Sequence, residues 1–212
     1  MARYKTFNRR RRGAARRIVS VLALLVVLGG LGLVGYALLA EDSPVSRVVN
    51  PPEEPPAPAD TTLQLTVPAL ARVDDLTVRT APATDEAALE AGGLHVEGTG
   101  YPWEGEANVY IAGHRLGYPG TDSYLVFWDL DKLQNGDEVI LTDADGTRYT
   151  YSVFTNFVVS PYDYQVTEPV PGKNIVSLQT CTLPDYSERL IVQAELVSVA
   201  TSCVVTISRR RS

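Results

Sequence analysis

The chain contains few of the side chains that perform catalysis or bind metal ions. Among its 212 residues there are 2 cysteines, 2 histidines, 2 tryptophans and 1 methionine. Neither His95 nor His114 lies at zinc-ligand spacing from a cysteine, and the sequence has no glycine-rich phosphate loop and no internal repeat. These shortages argue against a zinc site and a nucleotide site, so the sequence predicts neither a metal nor a cofactor.

Basic residues are scarce in the central part of the chain. Most of the 19 lysines and arginines precede position 18 or close the chain, which leaves 8 between positions 41 and 208 against all 25 acidic residues. This central segment carries a side-chain charge of about −17. Because a protein needs a basic face to bind a phosphate backbone, that charge argues against nucleic acid as a partner.

An uncharged apolar run extends from position 18 to position 40. A helix of that length reaches roughly 34 Å and crosses a bilayer core of about 30 Å. The alternative is a cleaved signal peptide, but its apolar region is usually about 7 to 15 residues long. We therefore predict a basic cytoplasmic tail over 1–17 and a single transmembrane helix over 18–40, with the rest of the chain outside the cell membrane.

Prolines and acidic residues dominate positions 41–60. Such a composition does not bury a core and favours an extended conformation, so we predict a stalk there. A folded domain is expected over 61–200, followed by a tail over 201–212. Outside the cytoplasm a disulfide is conceivable, but Cys181 and Cys203 share no motif, and we interpret Cys203 as a small, free, buried residue.

Short apolar or alternating stretches separated by turn residues fill the predicted domain. Strand candidates lie at 63–67, 73–78, 109–112, 139–142, 149–159, 175–178 and 190–199. A hairpin turn is predicted over 143–146, a helix over 84–91 capped by Thr84, and a second short turn near 127–133. Many strands with little helix indicate a mainly β domain, either a closed barrel or a sandwich.

One cysteine and one histidine stand where apolar strands enter loops. His114 follows the stretch 109–112, and Cys181 follows 175–178. The pKa of a thiol is ordinarily about 8.5, and a nearby imidazolium favours its thiolate form. The same imidazolium can then protonate an amine leaving group. His95, beside the glycines at 92 and 93, is interpreted as structural or exposed.

Arg189 begins the apolar strand that follows Cys181. Its guanidinium is always charged and suits an oxyanion or a substrate carbonyl that gains negative charge. From the residues alone the structural alternatives stay open, since an isolated cysteine is commonly a packing residue and an arginine at a strand start is commonly solvated.

The segments around these three residues resemble the sortases. That family ends a strand in Thr-Leu-X-Thr-Cys, with an arginine and an apolar strand about eight residues later. Here residues 177–181 are Ser-Leu-Gln-Thr-Cys and residues 189–192 are Arg-Leu-Ile-Val. Residues 112–115, Ala-Gly-His-Arg, resemble the family's histidine strand. The resemblance covers about 63–199 and departs from the family motif at Ser177, which replaces a threonine.

The resemblance implies a closed eight-stranded sortase-type β-barrel with Cys181, His114 and Arg189 in one groove. It also implies that Cys181 cleaves a Leu-Pro-X-Thr-Gly or Leu-Ala-X-Thr-Gly sorting signal of a secreted surface protein after Thr. An amine of a peptidoglycan precursor would then resolve the acyl-enzyme. Thr180 and Tyr110 are candidate substrate contacts. The alternative function is a catalytically silent sortase-like module that binds or assembles surface proteins.

The subclass that the sequence resembles is class E, the housekeeping type of high-GC Gram-positive bacteria. Trp103 after Pro102 is similar to the lid motif of pilus-building sortases, but Tyr101 stands where that motif has an acid. The last apolar stretch, 197–207, is also too short to form a second membrane span. Both points favour a role in anchoring proteins to the cell wall.

Overall fold

The computed structural model describes residues 56–201. The predicted basic tail, the transmembrane helix and most of the predicted stalk lie outside these residues, as does Cys203. Within 56–201, none of the helices is long and apolar enough to cross a bilayer. The span over 18–40 and the domain boundaries therefore stay predictions.

The described part of the chain forms eight strands and three short helical segments. In chain order these are β1 (Leu63–Thr66), β2 (Leu76–Ala81), α1 (Glu86–Glu90), β3 (Gly93–Val96), β4 (Ala107–Gly113), a 3₁₀ turn (Leu130–Lys132), β5 (Glu138–Thr142), β6 (Thr147–Val159), a second 3₁₀ turn (Tyr164–Thr167), β7 (Asn174–Cys181) and β8 (Arg189–Thr201).

The strands close into a barrel in the order β1-β2-β3-β4-β7-β8-β6-β5, with β5 pairing back to β1. Closure leaves the barrel without the free edges of an open sheet. The predicted closed eight-stranded β-barrel is thus confirmed. Only two of these strand pairs are parallel, β2 with β3 and β4 with β7. Because parallel strands end at the same edge of a sheet, the carboxyl ends of β4 and β7 lie side by side.

Strand alternation divides the residues of β4, β7 and β8 between two faces. Val109 and Ile111 of β4 and Val176 and Leu178 of β7 belong to the buried core inside the barrel. Their chain neighbours point to the outer face, where Tyr110 donates a hydrogen bond to Gln179 over 2.7 Å. This outer face forms the floor of the site described below.

The predicted local elements are present, with one correction. Helix α1 begins at Glu86, and its cap is Asp85, whose side chain accepts a hydrogen bond from Ala88 N over 3.0 Å. The prediction of Thr84 as cap was wrong because the helix starts one residue later than expected. The hairpin over 143–146 is confirmed, since Asp143 N donates to Thr147 O over 3.0 Å.

Strand β3 was not predicted, because the glycines at 92 and 93 indicated a helix stop. Gly93 instead packs closely against β2, where an added Cβ would lie 3.0 Å from Val78 Cγ2. β3 carries His95, whose side chain is fully buried. Of the two interpretations of His95, the structural one agrees with its burial and the exposed one is wrong.

Candidate active site

Cys181 is the last residue of β7 and lies on the outer face of the barrel. It is half-buried and makes no disulfide among the described residues. Leu178 and Thr180, which precede Cys181 and point to the opposite face of the strand, are buried. The thiol is therefore carried by a rigid strand but stays open to the surface.

His114 directly follows the last residue of β4 and lies at the same level as Cys181. The register pairs Ala112 with Gln179, and Thr180 Oγ1 donates to Gly113 O over 2.9 Å. One residue further along each strand come His114 and Cys181. The parallel pairing of β4 with β7 thus brings together two residues that are far apart in the chain.

Gly113 lets the chain just before His114 pack closely against Phe127. An added Cβ on Gly113 would lie 2.5 Å from Phe127 Cδ2, closer than any side chain tolerates. Phe127 N in turn donates to His114 O over 3.1 Å. The residue before His114 must therefore be glycine for this segment to pack against the core.

The imidazole of His114 has a buried nitrogen without a partner among the described residues. Among the described residues, no group hydrogen-bonds to His114 Nε2, although that atom is buried. The edge-to-face contact with Tyr118, at 5.5 Å between ring centroids, holds the ring from one side. An unpaired ring nitrogen beside a thiol can exchange a proton with a reacting group.

Arg189 lies opposite Cys181 in the antiparallel register of β7 with β8. Its Nη1 donates to Tyr186 O over 3.1 Å and to Glu188 O over 3.0 Å. Within residues 56–201 no carboxylate lies within ion-pair distance of its guanidinium. The loop carbonyls thus orient the guanidinium without neutralising its charge.

The charge of Arg189 also acts on Tyr110. Burial raises the pKa of the Tyr110 hydroxyl well above its ordinary value, and Asp163 raises it further. The guanidinium of Arg189 opposes this shift. Tyr110 is therefore a neutral hydrogen-bond donor at physiological pH, and it lies within the electrostatic reach of Arg189.

A groove of about 480 Å³ joins these residues. Its floor is the outer face of β4 and β7, with Tyr110 and Gln179 at the centre. One wall comes from α1 and the residues before it, and the other comes from residues 159–167, between β6 and β7. We call this the main groove. Cys181, His114 and Arg189 all line it.

The wall formed by the β6–β7 connection is held by hydrogen bonds of the buried Asn108 side chain. Asn108 Nδ2 donates to Val166 O over 2.9 Å and to Glu168 O over 3.0 Å. Ser177 Oγ donates to Asn108 Oδ1 over 2.7 Å, and Gln193 Nε2 donates to Ser177 Oγ over 3.1 Å. This chain of side chains, which was not predicted, joins β4, β7 and β8 to the wall.

Thr180 has a different position from the one expected for a substrate contact. Its side chain is buried, and its hydroxyl donates to Gly113 O. It therefore ties the end of β7 to the end of β4, directly behind Cys181 and His114. Tyr110 also lines the main groove, but its side chain is equally buried and its hydroxyl donates to Gln179. The substrate roles of both residues stay predictions.

The acidic residues of this part of the chain are dispersed. Residues 56–201 contain no group of three or more His, Cys, Asp or Glu side chains that could hold a metal ion. The prediction that the protein needs no metal and no cofactor stays a prediction.

The comparisons with known proteins agree with this fold. The Sortase domain family profile matches residues 65–197, which is more than half of the chain. The chain therefore belongs to the sortase family, as its motifs predicted. Members of this family are cysteine transpeptidases.

Two relatives share part of the sequence. The chain is 38% identical over 93 residues to Sortase A of Streptococcus agalactiae serotype III (strain NEM316), which covers 43% of this chain and 37% of that protein. It is 35% identical over 94 residues to Putative sortase YwpE of Bacillus subtilis (strain 168), which covers 44% of this chain and 86% of that protein. The chain thus spans well under two thirds of the first relative.

Similar solved structures include two sortases of class C. Sortase C of Streptococcus pneumoniae superposes with a TM-score of 0.58 at 26% identity, over 68% of this chain and 73% of that one. Sortase C-1 of Actinomyces oris superposes with a TM-score of 0.57 at 27% identity, over 66% and 76%. Their likeness agrees with the closed barrel described above.

Proposed function

We propose that the protein is a membrane-anchored cysteine transpeptidase that joins secreted surface proteins to the cell wall. The observation that carries this proposal is the meeting of Cys181, His114 and Arg189 at the ends of three neighbouring strands, in one groove. Each residue comes from a different strand end, so the fold itself assembles them. In the proposal, Cys181 and His114 are catalytic residues, and Arg189 contacts the reacting carbonyl.

The first half-reaction forms a thioester. The sulfur of Cys181 attacks the carbonyl carbon after threonine in a Leu-Pro-X-Thr-Gly or Leu-Ala-X-Thr-Gly signal. A carbon–sulfur bond forms and the carbon–nitrogen bond to glycine breaks. The proton on the imidazolium of His114 goes to the departing glycine nitrogen, which leaves as an amine.

Arg189 would stabilise the negative charge that builds on the carbonyl oxygen during this attack. Its position opposite Cys181 and its lack of a carboxylate partner in the described part of the chain support this role. Preorganised donors of this kind contribute a factor of about 10²–10³ to kcat. The two loop carbonyls restrict the guanidinium to one orientation before substrate arrives.

The main groove suits an extended peptide. Four extended residues span about 13 Å. The lining offers polar groups on Gln179 and Tyr110 and apolar groups on Leu94 and Val96 of β3. Tyr110 is proposed to contact the signal peptide beside the reacting carbonyl. No lysine or arginine other than Arg189 lines the groove among the described residues.

The cellular setting follows from the sequence outside the described residues. The basic residues before 18–40 support an N-terminus in the cytoplasm and a barrel outside the membrane. The proline-rich segment after the span would hold the barrel away from the bilayer. There it meets its proposed partners, which are the sorting signals of secreted proteins and an amine of a peptidoglycan precursor.

We further propose the housekeeping class E subtype. Tyr101 and Trp103 stack at 4.6 Å between ring centroids, and Trp103 is buried in the core. A segment packed in this way is not available as a lid over Cys181. The similar structures described as pilus-related are those of other proteins, with about a quarter of their residues identical to this chain.

Cleavage of signal peptides by matched cysteine variants tests the proposal. Full-length Cys181→Ala is expected to lose all cleavage of Leu-Ala-X-Thr-Gly and Leu-Pro-X-Thr-Gly peptides, whereas Cys203→Ala keeps most of it. A thiol-reactive analogue of the signal peptide should form an adduct on Cys181, detected by mass spectrometry. If the wild type neither cleaves these peptides nor forms the adduct, the catalytically silent module becomes the better assignment.

A further inference from the structure

We propose that Asn108 is a positioning residue that holds one wall of the main groove in the shape that binds the signal peptide. This inference rests on the proposed transpeptidase function, and it gives a role to a residue that does not itself line the groove. Asn108 lies on β4, and its side chain is buried. The wall is the β6–β7 connection, residues 160–173.

The β6–β7 connection has little apolar packing of its own to hold it in place. None of residues 160–173 is buried, and the 3₁₀ turn within them has no buried side chain. Several of its hydrogen bonds join residues of the connection to one another, as Thr167 Oγ1 does by donating to Tyr164 O over 2.8 Å. A surface segment with few buried apolar contacts opens locally at low cost in free energy. Its position therefore depends on the hydrogen bonds that join it to the barrel.

Asn108 makes the two hydrogen bonds that join the middle of the connection to the barrel. Its Nδ2 donates to Val166 O over 2.9 Å and to Glu168 O over 3.0 Å. In the described part of the chain, the other hydrogen bonds between the connection and the barrel involve Lys173, its last residue. Val166 and Thr167 line the main groove. The amide thus fixes the part of the wall that faces the groove.

The orientation of the Asn108 amide follows from its partners. Backbone carbonyls only accept hydrogen bonds, so the NH₂ group must face Val166 and Glu168. Oδ1 then accepts from Ser177 Oγ over 2.7 Å, and Ser177 Oγ accepts from Gln193 Nε2 over 3.1 Å. A flipped amide would place Oδ1 against two carbonyl oxygens. The network therefore has one favoured direction, from β8 through β7 and β4 to the wall.

Ser177 connects the wall to the strand that carries the proposed nucleophile. It is fully buried on β7, which ends in Cys181. Its hydroxyl both donates to Asn108 and accepts from Gln193, so an apolar side chain at this position would break the network at its centre. Threonine, the usual residue of the family motif at this position, has the same donor and acceptor. The hydroxyl of Ser177 is therefore a second positioning group.

A wall that is in place before the peptide arrives lowers the free-energy cost of binding. If the wall moved freely, the peptide would have to order it, and part of the binding free energy would be lost. The bond changes at Cys181 do not involve the wall directly. Loss of the Asn108 amide should therefore raise the KM for signal peptide and leave kcat close to the wild-type value.

Peptide cleavage and hydrogen exchange on the full-length protein in detergent test this role. Asn108→Leu keeps a side chain of similar size without its donors, and we expect the KM for a Leu-Ala-X-Thr-Gly peptide to rise about tenfold, as the loss of one or two hydrogen bonds predicts. Backbone amides of 160–173 should exchange faster, whereas those of β5 keep their wild-type rates. Asn156→Leu, at an exposed position of β6, is the matched control and should change neither quantity.

Two substitutions of Ser177 keep the test decisive if Asn108→Leu does not fold. Ser177→Thr keeps the hydroxyl and should retain the wild-type KM and the wild-type exchange of the wall. Ser177→Val has the shape of threonine without the hydroxyl, and it should raise both the KM and the exchange rate. Alkylation of Cys181 by iodoacetamide, measured in a Cys203→Ala background, should have the same rate in all these variants.

The outcomes separate this inference from the proposed function. An unchanged KM in folded Asn108→Leu, equal behaviour of Ser177→Thr and Ser177→Val, or a fall in kcat and in alkylation rate at constant KM would overturn the positioning role and leave the transpeptidase assignment intact. Wild-type enzyme that neither cleaves the peptides nor forms a thioester would overturn the proposed function, and the substrate role of Asn108 with it. The exchange rates of 160–173 would still show whether the amide holds the wall.

Discussion

His95 and His114 belong to neighbouring strands of the barrel but have contrasting surroundings. His95 is fully buried, with Nδ1 3.0 Å from Thr80 Oγ1 and Nε2 3.0 Å from Gly100 O. Because a carbonyl only accepts, Nε2 carries the proton and Nδ1 accepts from Thr80. His114 is half-exposed, and its Nε2 has no partner among the described residues.

The contrast shows how one residue type serves two purposes in one barrel. Every polar atom of the His95 ring is satisfied, and burial lowers the pKa of that ring. Such a histidine stays neutral and stabilises the fold. His114 has a ring nitrogen that can take or give a proton beside Cys181. The structural histidine and the proposed catalytic one therefore differ in whether their buried ring nitrogens are hydrogen-bonded.

The largest effect is expected from replacing each histidine by asparagine. His114→Asn removes the proposed acid and base, so kcat for signal-peptide cleavage should fall about 10³-fold, within the range for general acid–base catalysis. His95→Asn should keep most of the activity per folded molecule. Peptide-release kinetics on both variants measure this difference, and similar losses in kcat would remove the distinction between the two residues.

Arg189→Lys tests the role of the charged residue that lies opposite Cys181 in the groove shared with His114. A lysine keeps the charge but not the planar fork that contacts Tyr186 O and Glu188 O while facing the groove. We expect kcat to fall about 10²-fold, close to the loss of one oxyanion donor, with a smaller change in KM. Steady-state kinetics separate the two parameters. A rise in KM at constant kcat would instead assign Arg189 to substrate binding alone.

His95→Leu should change stability instead of catalysis. The leucine leaves Gly100 O without its donor in a buried site, which costs about 1–3 kcal/mol of unfolding free energy, whereas the Thr80 hydroxyl keeps Tyr101 as a partner. Urea denaturation of the isolated variant measures the loss. The matched His114→Leu variant should lose less, because His114 Nε2 has no hydrogen bond to give up.

The smallest effect concerns pH. Because burial lowers the pKa of His95 in the folded protein, the unfolded chain binds a proton first as pH falls below about 6.5. Stability should therefore be constant above that pH for this group and fall below it, by at most about 1.4 kcal/mol per pH unit. Denaturation midpoints from pH 8 to 5 test the sign. In His95→Leu this part of the slope should be absent.

The catalytic candidates could be predicted because each lies within a short local motif. Cys181 and Arg189 come close together in sequence, and His114 has its own glycine-containing segment. Because each motif lies at a strand end, it also indicates at which end of the barrel its functional residue lies. The many short strands predicted either a closed barrel or a sandwich, and the family resemblance implied the closed barrel.

The floor of the main groove could not be predicted from the strand pattern. The first five residues of β7 are all buried. Its sequence therefore does not show the alternation of apolar and polar residues that would assign Ser177 and Gln179 to the outer face. The cause is the β6–β7 connection, which covers the outer face through the hydrogen bonds of Asn108. A strand covered on both faces loses its period-two signal.

A smaller groove beside His114 and Cys181, lined by Tyr118 and Tyr186, was equally hidden from sequence reasoning. Its two tyrosines come from separate loops, after β4 and after β7, and neither stands in a motif. Strand β3 was missed because two glycines indicate a break more strongly than four residues indicate a strand. Features that depend on how loops meet in space leave little trace in a single sequence.

The separation of 67 residues between Gly113 and Thr180, which are hydrogen-bonded in the barrel, has a consequence for the newly made chain. The thiol and the imidazole lie at the ends of β7 and β4, two paired strands that β5 and β6 separate in the chain. Before that pairing, the chain carries an ordinary cysteine and an ordinary histidine. The proposed catalytic pair is thus a property of the folded barrel, and an unfolded chain does not contain it.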